Sequence, residues 1–143
     1  TLTIASGYCT YGLCKCNVPD IIKLLKGCEV MRWLLRSKIH KAIVTRADVN
    51  YVGSITIDQD LLDKTGLWAG ERVLIVDNTN GARLETYVMV GERGSGEVGM
   101  NGASSHLVHT GDEIIIMGFE LSDRAVDQKV ILVDDKNKFV RYL

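Results

Sequence analysis

The feature that most constrains the fold is a series of short segments with apolar residues at alternate positions, which begins near Met31 and continues along the rest of the chain. A period of two is typical of β-strands, whose successive side chains point to opposite faces. The segments cover residues 38–45, 54–58, 72–78, 83–90, 112–119 and 129–135. Because the connections between them are too short for regular crossover helices, the sequence predicts a mainly β fold that closes into a small barrel.

Two stretches depart from this alternation and predict short helices. Residues 58–66 begin with Asp58, which can cap the start of a helix, and finish with Gly66, which can end one. A second short helix is expected within residues 102–111. The predicted barrel therefore carries one or two short helices.

The size and charge of the chain limit its domain count and its partners. Its 143 residues suffice for one domain with one core. A net charge of -1 gives no electrostatic reason to expect binding to nucleic acid or to anionic membranes. Its apolar runs all fall short of the roughly 20 residues that a membrane-spanning helix needs. We therefore expect a soluble domain whose partners are small molecules or proteins.

All four cysteines of the chain precede Met31. They are Cys9, Cys14, Cys16 and Cys28. Their spacing lacks the paired CxxC motifs of a zinc site, so we expect no metal there. Residues 1–30 are expected to be an extension separate from the fold of residues 31–143. Two interpretations of the extension stay open: a start codon assigned upstream of Met31, and a segment with a short amphipathic helix from Asp20.

Other motifs carry little functional signal. The glycine-rich residues 91–99, GERGSGEVG, have glycines at the intervals of a dinucleotide-binding loop, but no long helix follows that could face a phosphate. These glycines are expected to permit a tight loop or a close backbone approach. The histidines, His40, His106 and His109, are too scattered for a metal site. No serine lies in a GxSxG motif, which argues against an esterase-type triad.

The sequence NYVGSITIDQ, residues 50–59, contains a Gly-Ser pair directly before a predicted strand. A serine hydroxyl can attack the carbonyl of the preceding residue and convert the peptide into an ester when the backbone bends toward it. Gly53 leaves that carbonyl unshielded, since glycine has no side chain. The pair alone favours the simpler interpretation, the flexible start of a strand, so self-cleavage between Gly53 and Ser54 needs further support.

That support comes from a resemblance. The blocks SKIHKAIVTRADVNYVGSITIDQDLLD, DNTNGARLETYV and GERGSGEVGMNGASSH occur in the order and at the spacing typical of bacterial aspartate 1-decarboxylases. The chain resembles this family from about Met31 to Phe119. The resemblance implies a double-psi β-barrel assembled into a homotetramer, with active sites at subunit boundaries. It also implies a cytoplasmic enzyme that converts L-aspartate to β-alanine and CO2 for pantothenate synthesis.

The same resemblance implies how the enzyme obtains its cofactor. The chain would cleave itself between Gly53 and Ser54, and Ser54 would become a covalent pyruvoyl group. That group would form a Schiff base with the amine of aspartate and accept the electrons released when the α-carboxylate leaves. The resemblance leaves open whether cleavage is spontaneous or needs a maturation factor.

The resemblance assigns roles to four polar side chains. Arg83 and Lys38 correspond to the groups that bind the substrate carboxylates, for which a guanidinium fork and a point charge are suited. Tyr87 corresponds to the proton donor to the decarboxylated carbanion. Thr86 corresponds to the residue whose hydroxyl supports cleavage at the glycine carbonyl. In a regular strand Thr86 and Tyr87 face opposite sides, so either the strand bends or the two residues serve different sites.

Five further residues match positions near the active site of the family. Asn101 corresponds to a polar residue near the substrate, and Gly102 and Ala103 can present backbone N–H groups there. His40 and Tyr51 occupy other nearby positions, for which the resemblance implies less definite roles. No metal ligand is among the matched positions.

Two other classes of function stay open from the sequence. A non-enzymatic β-barrel that acts as a binding or regulatory module would use the same strands and remain uncleaved. An enzyme with an added cofactor such as pyridoxal phosphate would need a lysine in a Schiff-base context, which is missing, and such a short chain argues against it. Cleavage of the chain distinguishes the first alternative from the decarboxylase, and absorbance near the visible edge tests the second.

Overall fold

Nine β-strands dominate the computed structural model, which describes residues 30–143. They are β1 Arg32–Ile43, β2 Arg46–Asp48, β3 Ser54–Asp58, β4 Arg72–Asp77, β5 Arg83–Gly91, β6 Val98–Asn101, β7 Glu113–Ser122, β8 Lys129–Val133 and β9 Phe139–Tyr142. The prediction of a mainly β fold is confirmed. Residues Arg32–Leu143 form one compact unit. The four cysteines lie outside the described residues, so the extension stays a prediction.

One sheet contains all nine strands, in the order β2-β6-β3-β5-β4-β7-β1-β8-β9. Three neighbouring pairs are parallel, namely β2 with β6, β3 with β5 and β1 with β8, and the other pairs are antiparallel. In the described part of the chain, no ladder joins β2 to β9, so closure of the predicted barrel by strand pairing is not observed.

Side-chain hydrogen bonds link the two ends of this strand order. Asn137 lies in the turn between β8 and β9 with a positive φ of 57° and is buried. Its Oδ1 accepts from the Ile43 amide, and its Nδ2 donates to the carbonyls of Ile43 and Gly96, each at 2.8 Å. Because Gly96 lies just before β6, these bonds connect opposite ends of the order. The sheet is therefore curled, which is consistent with a small β-barrel.

Strand β3 lies inside the fold, since every one of its residues is buried. Ile55 and Ile57 are fully buried and belong to the aliphatic core. Burying one such side chain contributes about 1.5–3 kcal/mol to folding. The predicted strand at residues 54–58 is thereby confirmed. The start of β3 at Ser54 is thus continuous with a strand that is buried along its whole length.

The strand bounds differ from prediction where the local pattern is weak. β1 begins at Arg32 rather than at Lys38, because residues 33–35 are apolar in succession and hide the alternation, yet they pair with β7. β2, β6 and β9 were not predicted, since strands of 3 or 4 residues are too short to display a period of two.

The predicted first helix is confirmed as α1, residues Gln59–Thr65. The Asp58 side chain accepts from the Asp60 amide at 2.9 Å and caps its start. Gly66 ends it in the left-handed conformation, with its amide bonded to the Leu62 carbonyl. The second predicted helix is a shorter 3-10 helix, Gly102–His106.

The glycine-rich loop of residues 91–99 binds a carboxylate of the chain itself. The amides of Gly94 and Gly96 donate to opposite oxygens of Asp58 at 2.9 and 2.6 Å. Burial raises the pKa of Asp58, but these two amides and that of Asp60 outweigh it and hold the pKa below its usual 3.8. A Cβ at Gly96 would collide with the Lys136 carbonyl. The prediction of a tight loop with a close backbone approach is confirmed.

Candidate active site

Ser54 and Asn101 face each other where β3 begins and β6 ends. Both residues are fully buried. The Asn101 amide nitrogen Nδ2 donates to Ser54 Oγ and to Thr56 Oγ1, each at 3.0 Å. The antiparallel register brings Asn101 opposite Ser54, and the alternation of β3 places Thr56 on the same face as Ser54. The Ser54 hydroxyl is thus held in a defined position by a hydrogen-bond donor.

The backbone on the upstream side of Ser54 is closely approached by a second glycine. Gly102 has a φ of 65°, and a Cβ there would lie 2.8 Å from Gly53 Cα and 3.1 Å from the Tyr51 carbonyl oxygen. Only glycine fits such an approach in this conformation. The predicted neighbours Gly53 and Gly102 are therefore brought together, and Ala103 is the next residue, exposed on the 3-10 helix.

Gly53 itself is not required by packing. It is exposed, it does not have a positive φ, and a Cβ there would meet its nearest neighbour, the Asn101 carbonyl oxygen, only at 3.9 Å. A larger residue would therefore fit at this position. The absence of a side chain leaves the carbonyl before Ser54 open, which is the condition for attack by a neighbouring hydroxyl.

An open cleft of 580 Å³ adjoins this point. Its lining consists of apolar and aromatic residues: Tyr51, Val52, Ala69, Gly70, Tyr87, Val88, Met89 and Val90. Met89 connects the cleft to the buried hydroxyl, since its Sδ lies 2.8 Å from Ser54 Oγ. Tyr51 and Tyr87, to which the resemblance gives separate positions near the active site, share this lining and are 44% and 42% exposed.

Tyr87 occupies the point where β5 changes its neighbour. Up to Tyr87, which is opposite Arg72, the strand pairs with β4, and from Val88, which is opposite Ile55, it pairs with β3. Thr86 is half-buried opposite Val73. Thr86 and Tyr87 thus lie on opposite faces of β5, as the alternation predicted, and only Tyr87 lines the cleft.

The predicted carboxylate-binding cations lie away from the cleft of the same chain. Arg83 is exposed at the start of β5, four residues or roughly 13 Å along the strand from Tyr87. Lys38 is half-buried on β1, which β4 and β7 separate from β5, a distance of about 14 Å along the sheet. The lining of the cleft contains no charged side chain. Neither Arg83 nor Lys38 therefore lines the cleft beside Ser54 in one chain.

His40 lies on β1 two residues beyond Lys38 and pairs with Leu132 of β8. Burial, followed by the positive charges of Lys38 and Lys41, lowers the pKa of His40 from its usual 6.5. Its Nδ1 is buried and has no hydrogen-bond partner among the described residues. Like Lys38, this side chain is not part of the cleft beside Ser54.

Three residues near Ser54 were not predicted as part of the site. Thr56 accepts from Asn101, Met89 contacts Ser54, and Arg46 donates to Asn101 Oδ1 at 3.0 Å. Alternation along β3 could have indicated Thr56, since it shares a face with Ser54. The contacts of Arg46 and Met89 connect residues distant in sequence and left no local signal.

The arrangement combines a nucleophile, an open carbonyl and proton donors. Ser54 Oγ is adjacent to the unshielded Gly53 carbonyl, and the Asn101 amide can stabilise negative charge on Oγ. The hydroxyls of Tyr51 and Tyr87 are available at the cleft for proton transfer. Among the described residues, no cluster of His, Cys, Asp or Glu could hold a metal ion.

Two findings bear on the class of protein. No helix in residues 30–143 is long and apolar enough to cross a membrane. A protein-family model described as aspartate decarboxylase matches residues 30–140, which includes every strand up to the start of β9 and all residues of the candidate site.

Proposed function

Because the chain belongs to the aspartate decarboxylase family and is therefore a carboxy-lyase, we propose that it removes the α-carboxylate of L-aspartate with a pyruvoyl group formed from its own Ser54. The products are β-alanine and CO2, and β-alanine supplies the synthesis of pantothenate. The observation that carries the proposal is the buried Ser54 hydroxyl, which Asn101 holds beside the open carbonyl of Gly53. Packing does not require a glycine at position 53.

The residues around Ser54 fit the formation of this group. The Gly53 carbonyl is unshielded, Gly102 lets the backbone come close, and the Asn101 amide donates to Oγ. The apolar cleft leaves space for a substrate next to the start of β3. A pyruvoyl group at the start of β3 would also be anchored by the buried remainder of that strand.

Cleavage uses only atoms of the chain and one water. Ser54 Oγ attacks the Gly53 carbonyl carbon, the carbon–nitrogen bond breaks, and the proton of Oγ passes to the nitrogen, which leaves an ester. Elimination of the Gly53 carboxylate then gives a dehydroalanine at position 54. Hydrolysis of its imine tautomer by water releases ammonia and leaves the pyruvoyl group. Asn101 stabilises Oγ as it loses its proton.

When present, the pyruvoyl group supplies a ketone for the substrate amine and an acceptor for the electrons of the breaking carbon–carbon bond. The chain supplies orientation and a proton. Tyr87, which lines the cleft and is partly exposed, donates a proton from its hydroxyl to the α-carbon after CO2 leaves. The apolar lining reduces competing contact with water.

A second copy of the chain supplies the cations that the cleft lacks. Its rim exposes Tyr51, Val52 and Val90, with Val52 75% exposed, which is typical of a surface covered by another subunit. Arg83 and Lys38 of the neighbouring subunit then bind the carboxylates of aspartate. This arrangement agrees with a homotetramer that has active sites at subunit boundaries.

The remaining predicted residues complete the proposed site. Asn101, Gly102 and Ala103 border the substrate, with Ala103 exposed at the start of the 3-10 helix. Thr86 supports cleavage from the face of β5 opposite Tyr87, and this is the least direct of the proposed roles. His40 lies two residues from Lys38 on β1 and is proposed to act at the same subunit boundary.

Denaturing intact mass of the purified chain tests the proposal, followed by a carbonyl-reactive label. We expect two fragments that meet between Gly53 and Ser54, with the label on the downstream fragment, and production of β-alanine from L-aspartate. One uncleaved mass that persists after prolonged warming, and in the presence of a cell extract that could supply a maturation factor, contradicts the pyruvoyl mechanism. A non-enzymatic β-barrel would give that result.

A further inference from the structure

Arg46 is held by three groups around the candidate site. Its Nη1 donates to Asn101 Oδ1 at 3.0 Å, and its Nη2 donates to Glu97 Oε1 at 2.9 Å. Its guanidinium lies over the ring of Tyr51, 5.5 Å from the ring centroid. Gly99, opposite Arg46 in the β2–β6 pair, makes room for it, since a Cβ there would lie 3.1 Å from Nη2. Arg46 thus connects the buried hydroxyl network with the cleft.

The bond to Arg46 determines which way the Asn101 amide points. A guanidinium only donates hydrogen bonds, so the Asn101 atom that faces it must be the oxygen. The amide nitrogen is then turned toward Ser54 Oγ and Thr56 Oγ1, to which it donates. Without Arg46, the amide could rotate and present its oxygen to Ser54. Arg46 therefore determines whether Ser54 Oγ faces a donor or an acceptor.

The charge of Arg46 acts in the same direction. A cation at Asn101 Oδ1 polarises the amide and strengthens its N–H groups as donors, because consecutive hydrogen bonds reinforce each other. A stronger donor at Ser54 Oγ stabilises that oxygen as it gives up its proton. Glu97 holds the guanidinium through Nη2, whereas the bond to Asn101 uses Nη1, so the two contacts are separate.

From these contacts we propose that Arg46 is a positioning residue for maturation, which orients Asn101 so that Ser54 can attack the Gly53 carbonyl. The inference rests on the proposed self-cleavage of the chain. It assigns to Arg46 a role in forming the pyruvoyl group rather than in binding aspartate, since Arg46 does not line the cleft.

The test compares cleavage rates of the full chain. Arg46→Met keeps the length of the side chain and removes its donors, and Arg46→Lys restores a cation that only donates. Each chain is purified cold, warmed, and monitored by denaturing intact mass across a range of pH. We expect Arg46→Met to cleave about 10-fold more slowly, less than the 100-fold or greater loss from deleting a direct oxyanion donor. The pH at which the cleavage rate increases should also be higher for Arg46→Met than for the wild type. Arg46→Lys should recover part of the rate.

Two controls separate positioning from folding. Glu97→Gln removes the ion pair of Arg46 and leaves its bond to Asn101, so it should cleave at nearly the wild-type rate. In an Asn101→Ala background, Arg46→Met should cause no further slowing, because its effect passes through Asn101. Should Arg46→Met fail to fold, Arg46→Gln takes its place, since glutamine does not force the amide orientation.

Either of two results overturns the inference while the proposed function stands. One is an Arg46→Met chain that cleaves with the wild-type rate and pH profile. The other is equal slowing by Arg46→Met with and without Asn101, which would mean that Arg46 acts by another route. A wild-type chain that never cleaves in the same assay overturns the proposed function instead, and this inference with it.

Discussion

Asn101 donates from one amide nitrogen to two hydroxyls, and the first of them, Ser54 Oγ, lies 3.0 Å away across the antiparallel pair of β3 and β6. This contact joins the two residues at the point where the open Gly53 carbonyl meets the buried strand. Together with the contact between Ser54 Oγ and Met89 Sδ at 2.8 Å, it fixes the position of the buried hydroxyl. Ser54 Oγ is therefore expected to meet the Gly53 carbonyl in one geometry rather than several.

Ser54→Ala should yield a single uncleaved chain with no decarboxylase activity, because no hydroxyl remains to attack Gly53. Denaturing intact mass measures this directly. Ser95→Ala, which changes an exposed serine of the glycine-rich loop, is the matched control and should cleave normally. Two fragments from the Ser54 variant would remove Ser54 from the mechanism.

Asn101→Ala should slow cleavage by about 100-fold, because the donor that stabilises Ser54 Oγ as it gives up its proton is lost. The rate is measured by mass during warming of freshly purified chain. Thr56→Ala removes the other acceptor of the same amide and should have a much smaller effect, since Thr56 is not adjacent to the cleaved bond. Equal rates for Asn101→Ala and the wild type would contradict a role for Asn101 in maturation.

Tyr87→Phe should leave cleavage intact and lower kcat for β-alanine formation by about 100-fold, within the range for loss of a general acid. Tyr142→Phe is the control, because Tyr142 is also an exposed tyrosine on a strand but lies on β9. If the yield and rate of β-alanine stay normal in the Tyr87 variant, the proton comes from another group, and Tyr51 is the next candidate in the cleft.

Arg83→Ala should leave cleavage unchanged and lower kcat/KM for aspartate by roughly 100-fold, since a charge-assisted bond to a carboxylate contributes about 1.5–3 kcal/mol. Arg93→Ala, which changes an exposed arginine paired with Asp60 and Asp63, should have no such effect. A mixture of inactive Ser54→Ala and processed Arg83→Ala subunits would test whether the cation comes from a neighbour. Activity recovered in the mixture, per Arg83→Ala subunit, would show that Arg83 of one subunit acts at the active site of its neighbour. Unchanged kinetics of the Arg83→Ala variant alone would place the carboxylate-binding group elsewhere.

Asp58→Asn should lower the free energy of unfolding at neutral pH by about 1–3 kcal/mol, because asparagine cannot accept from the amides of Gly94 and Gly96 on both of its atoms. Asparagine still caps a helix, so α1 should persist. The pKa of Asp58 is lowered on folding, so its contribution is complete above the usual 3.8 and is lost as pH falls below that value. Unfolding in urea between pH 7 and pH 2 should therefore show a smaller acid dependence in the variant, and parallel curves for the two chains would contradict this.

The sequence predicted the parts of the fold that depend on neighbouring residues. The alternation in β3 and the caps of α1 at Asp58 and Gly66 are local and appear where expected. The short strands β2 and β6 could not be predicted, because their positions depend on pairing with distant partners. The bonds of Asn137 that curl the sheet span 94 and 41 residues and leave no periodic signal.

In the candidate site, too, some residues could be predicted from the sequence and others could not. The resemblance placed Ser54, Asn101 and Gly102 near one site, and in the structure Asn101 donates to Ser54 Oγ while Gly102 lies against Gly53. Arg46 was missed although it lies in one of the matching blocks, because its contacts with Asn101 and Glu97 depend on the β2–β6 register. The absence of Arg83 from the cleft of one chain could not be predicted either, since the cleft lies beside the part of β5 from Tyr87 onward.

The place of β1 in the strand order has a consequence for the mature protein. In the sheet, β1 lies between β7 and β8, and β2 lies at the edge beside β6. In the sequence, β1 and β2 precede the proposed cut, whereas all of these sheet partners follow it. The shorter fragment would therefore supply an interior strand to the longer one. Neither piece could leave without exposing unpaired strand edges, so the two fragments of each nicked subunit would stay together as one folded unit. Its lifetime would be governed by the barrier to global unfolding, and reassembly of the isolated fragments would be a bimolecular reaction dependent on concentration.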